Sequence, residues 1–147
     1  MEITWSCKSF SELSPHELYA VLRLRNEVFA VEQNCVYLDC DNKDQGSYHL
    51  CGWQDNSLVA YARLMPPGLV YAEPSIGRVI TSATVRKQGI GKELMKIAIK
   101  KANKLFKTSS ITISAQLYLK HFYESLGFAQ CSDIYIEDHI DHIKMQY

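Results

Sequence analysis

Apolar and polar residues alternate from residue 2 to 8, with Ile3, Trp5 and Cys7 on one side, and this period of two predicts a short strand. Ser14–Pro15–His16–Glu17 reads as a helix start: Ser14 caps, Pro15 suits the first helical position and Glu17 completes a capping box. The helix runs through Leu18, Leu22, Arg25, Val28 and Phe29, widened by Val21 and Leu24, and fades near Glu32. Residues 33–46 read as a polar loop, with Asp39, Asp41, Asn42, Asp44 and Gly46 as turn formers. A hairpin follows, Tyr48 to Trp53 and Leu58 to Met65, turned by Gln54–Asp55–Asn56–Ser57. Pro66–Pro67–Gly68 stops the second strand, and a third, buried strand spans Ser75 to Ser82 after a connector holding Glu73 and Pro74.

A long amphipathic helix opens near Gly89 with the stripe Ile90, Leu94, Ile97, Ala98, Ala102 and Leu105; Lys92, Lys96, Lys100, Lys104 and Lys107 form its solvated face. Ile111 to Ala115 predicts a strand, Leu117 to Leu126 a short helix closed by Gly127, and Phe128 onward one or two strands ending with Ile143–Lys144–Met145. The order β-α-β-β-β-α-β-α-β-β fits an α/β (α+β) fold, a mixed and mostly antiparallel sheet flanked by helices.

With 147 residues and no linker or repeat, the chain reads as one domain over 1–147. Sixteen basic and sixteen acidic side chains cancel, which argues against nucleic acid or an anionic membrane as partner. No signal-like segment and no apolar run near the ~20 residues of a membrane span are present, so a cytoplasmic protein is expected. The five cysteines, Cys7, Cys35, Cys40, Cys51 and Cys131, are odd in number and irregular in spacing, which favours reduced thiols. Cys35, Cys40, His49 and Cys51 lack a zinc spacing, and Asp39-x-Asp41-x-Lys43 lacks both the glycine and the closing Glu of a calcium loop. The run His139–Ile140–Asp141–His142 is expected to face solvent in a late turn, and no metal site is expected.

The stretch Val79 to Gly91 carries the most chemistry. It reads as strand, short loop and glycines opening a helix, where free N–H groups and a partial positive charge attract phosphate. Gly89 and Gly91 keep side chains out of the way, and Arg86, Lys87 and Lys92 add charge. A dinucleotide fingerprint fails because position 94 is Leu, and a P-loop fails because one residue separates the glycines and Glu93 follows Lys92. A generic glycine-opened helix remains the plain alternative.

Arg86–Lys87–Gln88–Gly89–Ile90–Gly91 resembles the Arg/Gln-x-x-Gly-x-Gly signature of the GNAT N-acetyltransferases. Downstream, Leu119 to Phe128 is similar to that family's aromatic-Tyr-Glu-x-x-Gly-Phe element on a short late helix. Phe29 to Tyr37, His49–Leu50, Ala62–Arg63–Leu64, Pro67–Gly68, Ile76 to Val79, Ala115–Gln116 and Tyr135 to Asp138 resemble the ElaA-like branch. The likeness covers nearly the whole chain and departs at Asn42–Lys43, His139 and Asp141.

The resemblance implies a transferase that moves an acetyl group from acetyl-CoA to an amine on a small molecule or peptide, by direct attack in a ternary complex. It implies that Val79, Ile80 and Thr81 pair with the pantetheine arm, that Arg86, Lys87, Gln88, Gly89, Ile90, Gly91 and Lys92 hold the pyrophosphate, and that Gln116 and Tyr123 also border the cofactor. Tyr123 takes the position of the general acid. For the base, Glu32, Glu73, His49 and Glu137 are all open, with Glu32 and Glu73 bordering the acceptor side in this fold; a packed core histidine is an equal reading of His49. The acidic set Glu32, Asp39, Asp41 and Asp44 either attracts a cationic amine or forms a solvated loop. A longer acyl-CoA donor and a non-catalytic acyl-CoA sensor are the alternatives, and the exposed face of the late strands can join two copies.

Overall fold

The computed structural model describes residues 2–147. Strand β1 (Thr4–Ser9) leads through a single 3-10 turn to helix α1 (Pro15–Arg25). The capping box forms as the sequence predicts: Glu17 N–H donates to Ser14 Oγ at 3.1 Å, and Ser14 N–H donates to the Glu17 carboxylate at 2.8 Å. The helix widens into a π-helical stretch over Asn26–Glu32. Its buried face is Val21, Leu24, Arg25 and Val28, an i, i+3, i+4, i+7 stripe. Leu18 and Leu22, expected on that stripe, lie half-buried at its margin.

Strands β2 (Tyr48–Gln54), β3 (Ser57–Met65) and β4 (Ser75–Thr81) join β1 in one sheet of order β1-β2-β3-β4. Period-two geometry sends Ala60, Ala62 and Leu64 of β3 into the main core and Tyr61 into a second cluster with Val21, Leu24 and Val28 of the first helical segment. Helix α2 (Ile90–Phe106) covers the opposite face. Its buried stripe is Ile90, Leu94, Met95, Ala98, Ile99 and Ala102. Ile97 is only half-buried and Leu105 is exposed, a rotation of the expected stripe toward Met95 and Ile99.

The remaining strands are β5 (Thr112–Gln116), β6 (Ala129–Gln130), β7 (Tyr135–Glu137) and β8 (Ile140–Gln146), with the short helix α3 (Lys120–Glu124) between β5 and β6. Three strands therefore follow Gly127, where one or two were expected. They form a second sheet, β5-β8-β6, with β7 also on β8. Among the described residues every ladder is antiparallel. Antiparallel strands flanked by helices are thus present, divided into two sheets rather than joined as one. The sheets meet where β4 and β5 begin: Thr112 N–H donates to the Pro74 carbonyl at 3.0 Å, and Thr112 Oγ1 donates to Glu73 at 2.6 Å. No ladder joins β4 to β5 beyond that hinge.

Candidate active site

The two strands part into a cleft of about 890 Å³, the size of a small-molecule site. Val79, Ile80 and Thr81 of β4 line one wall and Ser114 and Gln116 of β5 the other. Strand β4 is bulged at the cleft. Tyr61 pairs with Ile80 and Arg63 with Gly77, so two steps along β3 match three along β4. Within the bulge Arg78 has φ 50°, a left-handed backbone that costs a non-glycine residue about 1 kcal/mol or more.

The Arg78 side chain holds that conformation in place. Its guanidinium donates to Asp39 Oδ1 at 2.8 Å and to the Asp39 carbonyl at 3.0 Å, and lies 5.6 Å from the Tyr37 ring centroid. Asp39 also accepts from Arg25, which is fully buried and donates to Asp44 at 2.7 Å; Arg63 bridges Asp44 and Asp41 at 2.9 and 2.8 Å. Three arginines thus face three aspartates. Burial alone would raise the Asp41 carboxyl, yet the hydrogen bonds and charge of Arg63 hold it well below the usual carboxylate range. Asp44 is lowered in the same way by Arg25 and Arg63. These aspartates are therefore not a solvated loop: Asp39, Asp41 and Asp44 are each paired with arginine.

At the other end of β4 the chain turns into α2. Gly89 has φ 77°, and a Cβ added there would meet nothing within 4 Å; one at Gly91 would meet only Phe122, at 3.9 Å. Gly89 is therefore required by its backbone conformation, and the space before both glycines is open. Lys87, Gln88, Gly89 and Lys92 are exposed, and Ile90 is buried. None of residues 87–92 lines the cleft itself; Arg86 does. Its guanidinium folds back, donating to the Thr81 carbonyl at 2.8 Å and to both Glu32 oxygens at 2.7 and 2.8 Å.

Tyr123 borders the same cleft, 6% exposed, with its ring edge-on to Phe122 and Phe128. Its hydroxyl makes no hydrogen bond to protein among the described residues. Burial, with a smaller effect of Tyr118, pushes the phenol above its ordinary value, so it holds its proton. Gln116 lines the cleft and reaches Gln33 at 3.4 Å. Glu32 is present but engaged by Arg86. Glu73 is not among the lining residues; its carboxylate is tied to Thr112 at the hinge. His49 is a core residue, fully buried between Tyr61 and the Asp44 carbonyl, and burial lowers its pKa and keeps it neutral.

His142 also lines the cleft and is buried, with Glu137 beside it. The expectation that the whole run from His139 to His142 faces solvent is thereby corrected. A signal for this existed in the sequence. Ile143 and Met145 alternate into the core, which turns His142 to the opposite face, in register with Gln116. No grouping of three or more His, Cys, Asp or Glu side chains suited to a metal occurs among the described residues.

The acetyltransferase (GNAT) domain family matches residues 14–147. A UPF0039 protein of Synechocystis is 44% identical over 99% of this chain and 95% of its own length. The crystal structure of an acyl-CoA N-acyltransferase from Pseudomonas aeruginosa superposes with a TM-score of 0.94 at 40% identity, covering 99% of each chain. That of Escherichia coli ElaA superposes with a TM-score of 0.92 at 38% identity, again over 99% of each chain.

Proposed function

We propose that this chain, which belongs to the GNAT acetyltransferase family, transfers an acetyl group from acetyl-CoA to an amine in a ternary complex. The observation that carries the reading is the cleft itself. It opens between the unladdered edges of β4 and β5, with Tyr123 and Arg86 on its border and the glycine-opened start of α2 directly after Arg86.

The residues suit such a donor. Open space at Gly89 and Gly91 leaves the first N–H groups of the seventeen-residue α2 accessible to a pyrophosphate, with Arg86, Lys87 and Lys92 adding charge. The edge of β4 over Val79–Thr81 has backbone groups to pair with the pantetheine amides. Bound acetyl-CoA supplies a thioester carbon for the amine and a thiolate leaving group. A backbone N–H of the bulged strand polarises the carbonyl oxygen as charge develops. Tyr123, kept protonated by burial, donates to the departing sulfur. Glu32 is a counter-ion of Arg86, and an incoming pyrophosphate competes for the same guanidinium.

Thermal shift with acetyl-CoA tests the donor, and an acceptor panel of amines, polyamines, amino acids and peptides with detection of free CoA tests the reaction. Ligand at 100 times its Kd adds about 2.7 kcal/mol to stability, a clear rise in Tm. An unchanged Tm at millimolar acetyl-CoA refutes the reading.

A further inference from the structure

Neither Glu32 nor Glu73 offers a free proton acceptor to the cleft, since Arg86 holds the first and Thr112 the second. The β7–β8 hairpin supplies a different group. His142 is 6% exposed and lines the cleft shared with Tyr123. Its Nδ1 lies 2.7 Å from the Ile140 carbonyl. A carbonyl can only accept, so Nδ1 carries the hydrogen and the neutral ring keeps its lone pair on Nε2. Glu137 Oε2 stands 3.5 Å from that nitrogen, longer than a direct hydrogen bond and close enough to neutralise an imidazolium.

Both partners are braced. The Tyr135 ring stacks on the imidazole at 6.2 Å and 23°. The Tyr135 hydroxyl lies 2.6 Å from Ser114 Oγ, which itself approaches Glu137 at 3.3 Å. The titratable groups around the ring are Glu137 and Tyr135 on β7, Asp138 at the hairpin turn, Tyr71 beyond Tyr135, and Tyr123 on the border of the same cleft. A base oriented through its second nitrogen, with a carboxylate at hand for the charge it gains, is the arrangement general-base catalysis requires.

We propose that His142 is the proton acceptor of the transfer and Glu137 its counter-ion, an assignment that rests on the acetyltransferase reading. Nε2 takes one proton from the acceptor's ammonium, and the freed amine bonds to the thioester carbon. The C–S bond breaks, and the thiolate takes the Tyr123 proton. The second amine proton restores the phenol through solvent, and the proton on His142 is the one released.

Two measurements test this. Long-range ¹⁵N correlation spectra of histidine-labelled protein, with His142→Asn identifying the signal, read the tautomer directly. The Nδ1–H form is expected at high pH; an Nε2–H form overturns the proposal whatever the turnover. Next, His142→Asn keeps a donor for the Ile140 carbonyl while removing the base. Its turnover with the best amine of the panel should fall about 10²- to 10⁴-fold, with acetyl-CoA affinity and Tm near wild type and the acid limb of the kcat/KM profile gone. Added imidazole should restore part of the rate in His142→Ala. Full turnover in a folded His142→Asn protein overturns the assignment, whereas a wild-type protein that ignores acetyl-CoA overturns the acetyltransferase reading and leaves the tautomer result standing.

Discussion

Tyr123 shows how one side chain is prepared by its neighbours. Phe122 and Phe128 clamp the ring, while the hydroxyl makes no hydrogen bond to protein among the described residues. Burial makes the phenol a weaker acid, which matters little for the proposed role, since a proton donor must arrive protonated. Tyr123→Phe should lower kcat about 10²-fold with the acetyl-CoA Kd nearly unchanged, by steady-state kinetics and calorimetry; equal kcat would remove Tyr123 from the proton path. The place of Tyr123 on the cleft border was legible because it sits in a local motif. Arg25 was legible only as a position. It falls on the buried stripe of α1, but its partners Asp39 and Asp44 lie 14 and 19 residues away in a segment that reads as polar loop. Periodicity gives the face a residue takes, and carries no information on which distant charge meets it.

Elements were legible where their signals are local. The capping box at Ser14, the hairpin turn and the α2 start all formed where the residues indicated. Periodicity did not show the division into two sheets, which only the family resemblance implied for the strand before the glycines. Strand pairing depends on the bulge at Arg78 and the hinge at Thr112, and neither residue type announces them. At the α2 start, Gly89 is needed for φ 77°, and no protein atom would crowd a side chain there. Gly89→Ala should therefore cost about 1–2 kcal/mol from the left-handed backbone alone, read as a lower urea midpoint with unchanged slope. An unchanged midpoint would mean that the loop adopts another conformation at no cost.

For the whole molecule, a net charge of zero conceals three arginines and three aspartates clustered beside the cleft. Asp41 and Asp44 ionise more readily folded than unfolded. Where the two states differ, the unfolded chain binds more protons, so this stability is complete above about pH 5 and is lost as pH falls through 4 toward the folded values. His49, whose pKa is lowered by burial, adds a loss that begins as pH drops below about 6.5. The urea midpoint should decline from pH 7 and most steeply below about pH 5; a flat midpoint down to pH 3 would contradict the ion pairs.

The parted edges of β4 and β5 also bear on the protein's lifetime in a cell. Beyond the Thr112 hinge no ladder joins them, and an unpaired strand edge is where local opening and mispairing begin. If the donor lies along β4 as proposed, it closes that seam, and only the native state can be closed in this way. On the proposed reading, abundance would then follow metabolic state, the chain resisting proteases while acyl-CoA is plentiful and being turned over sooner when it is scarce.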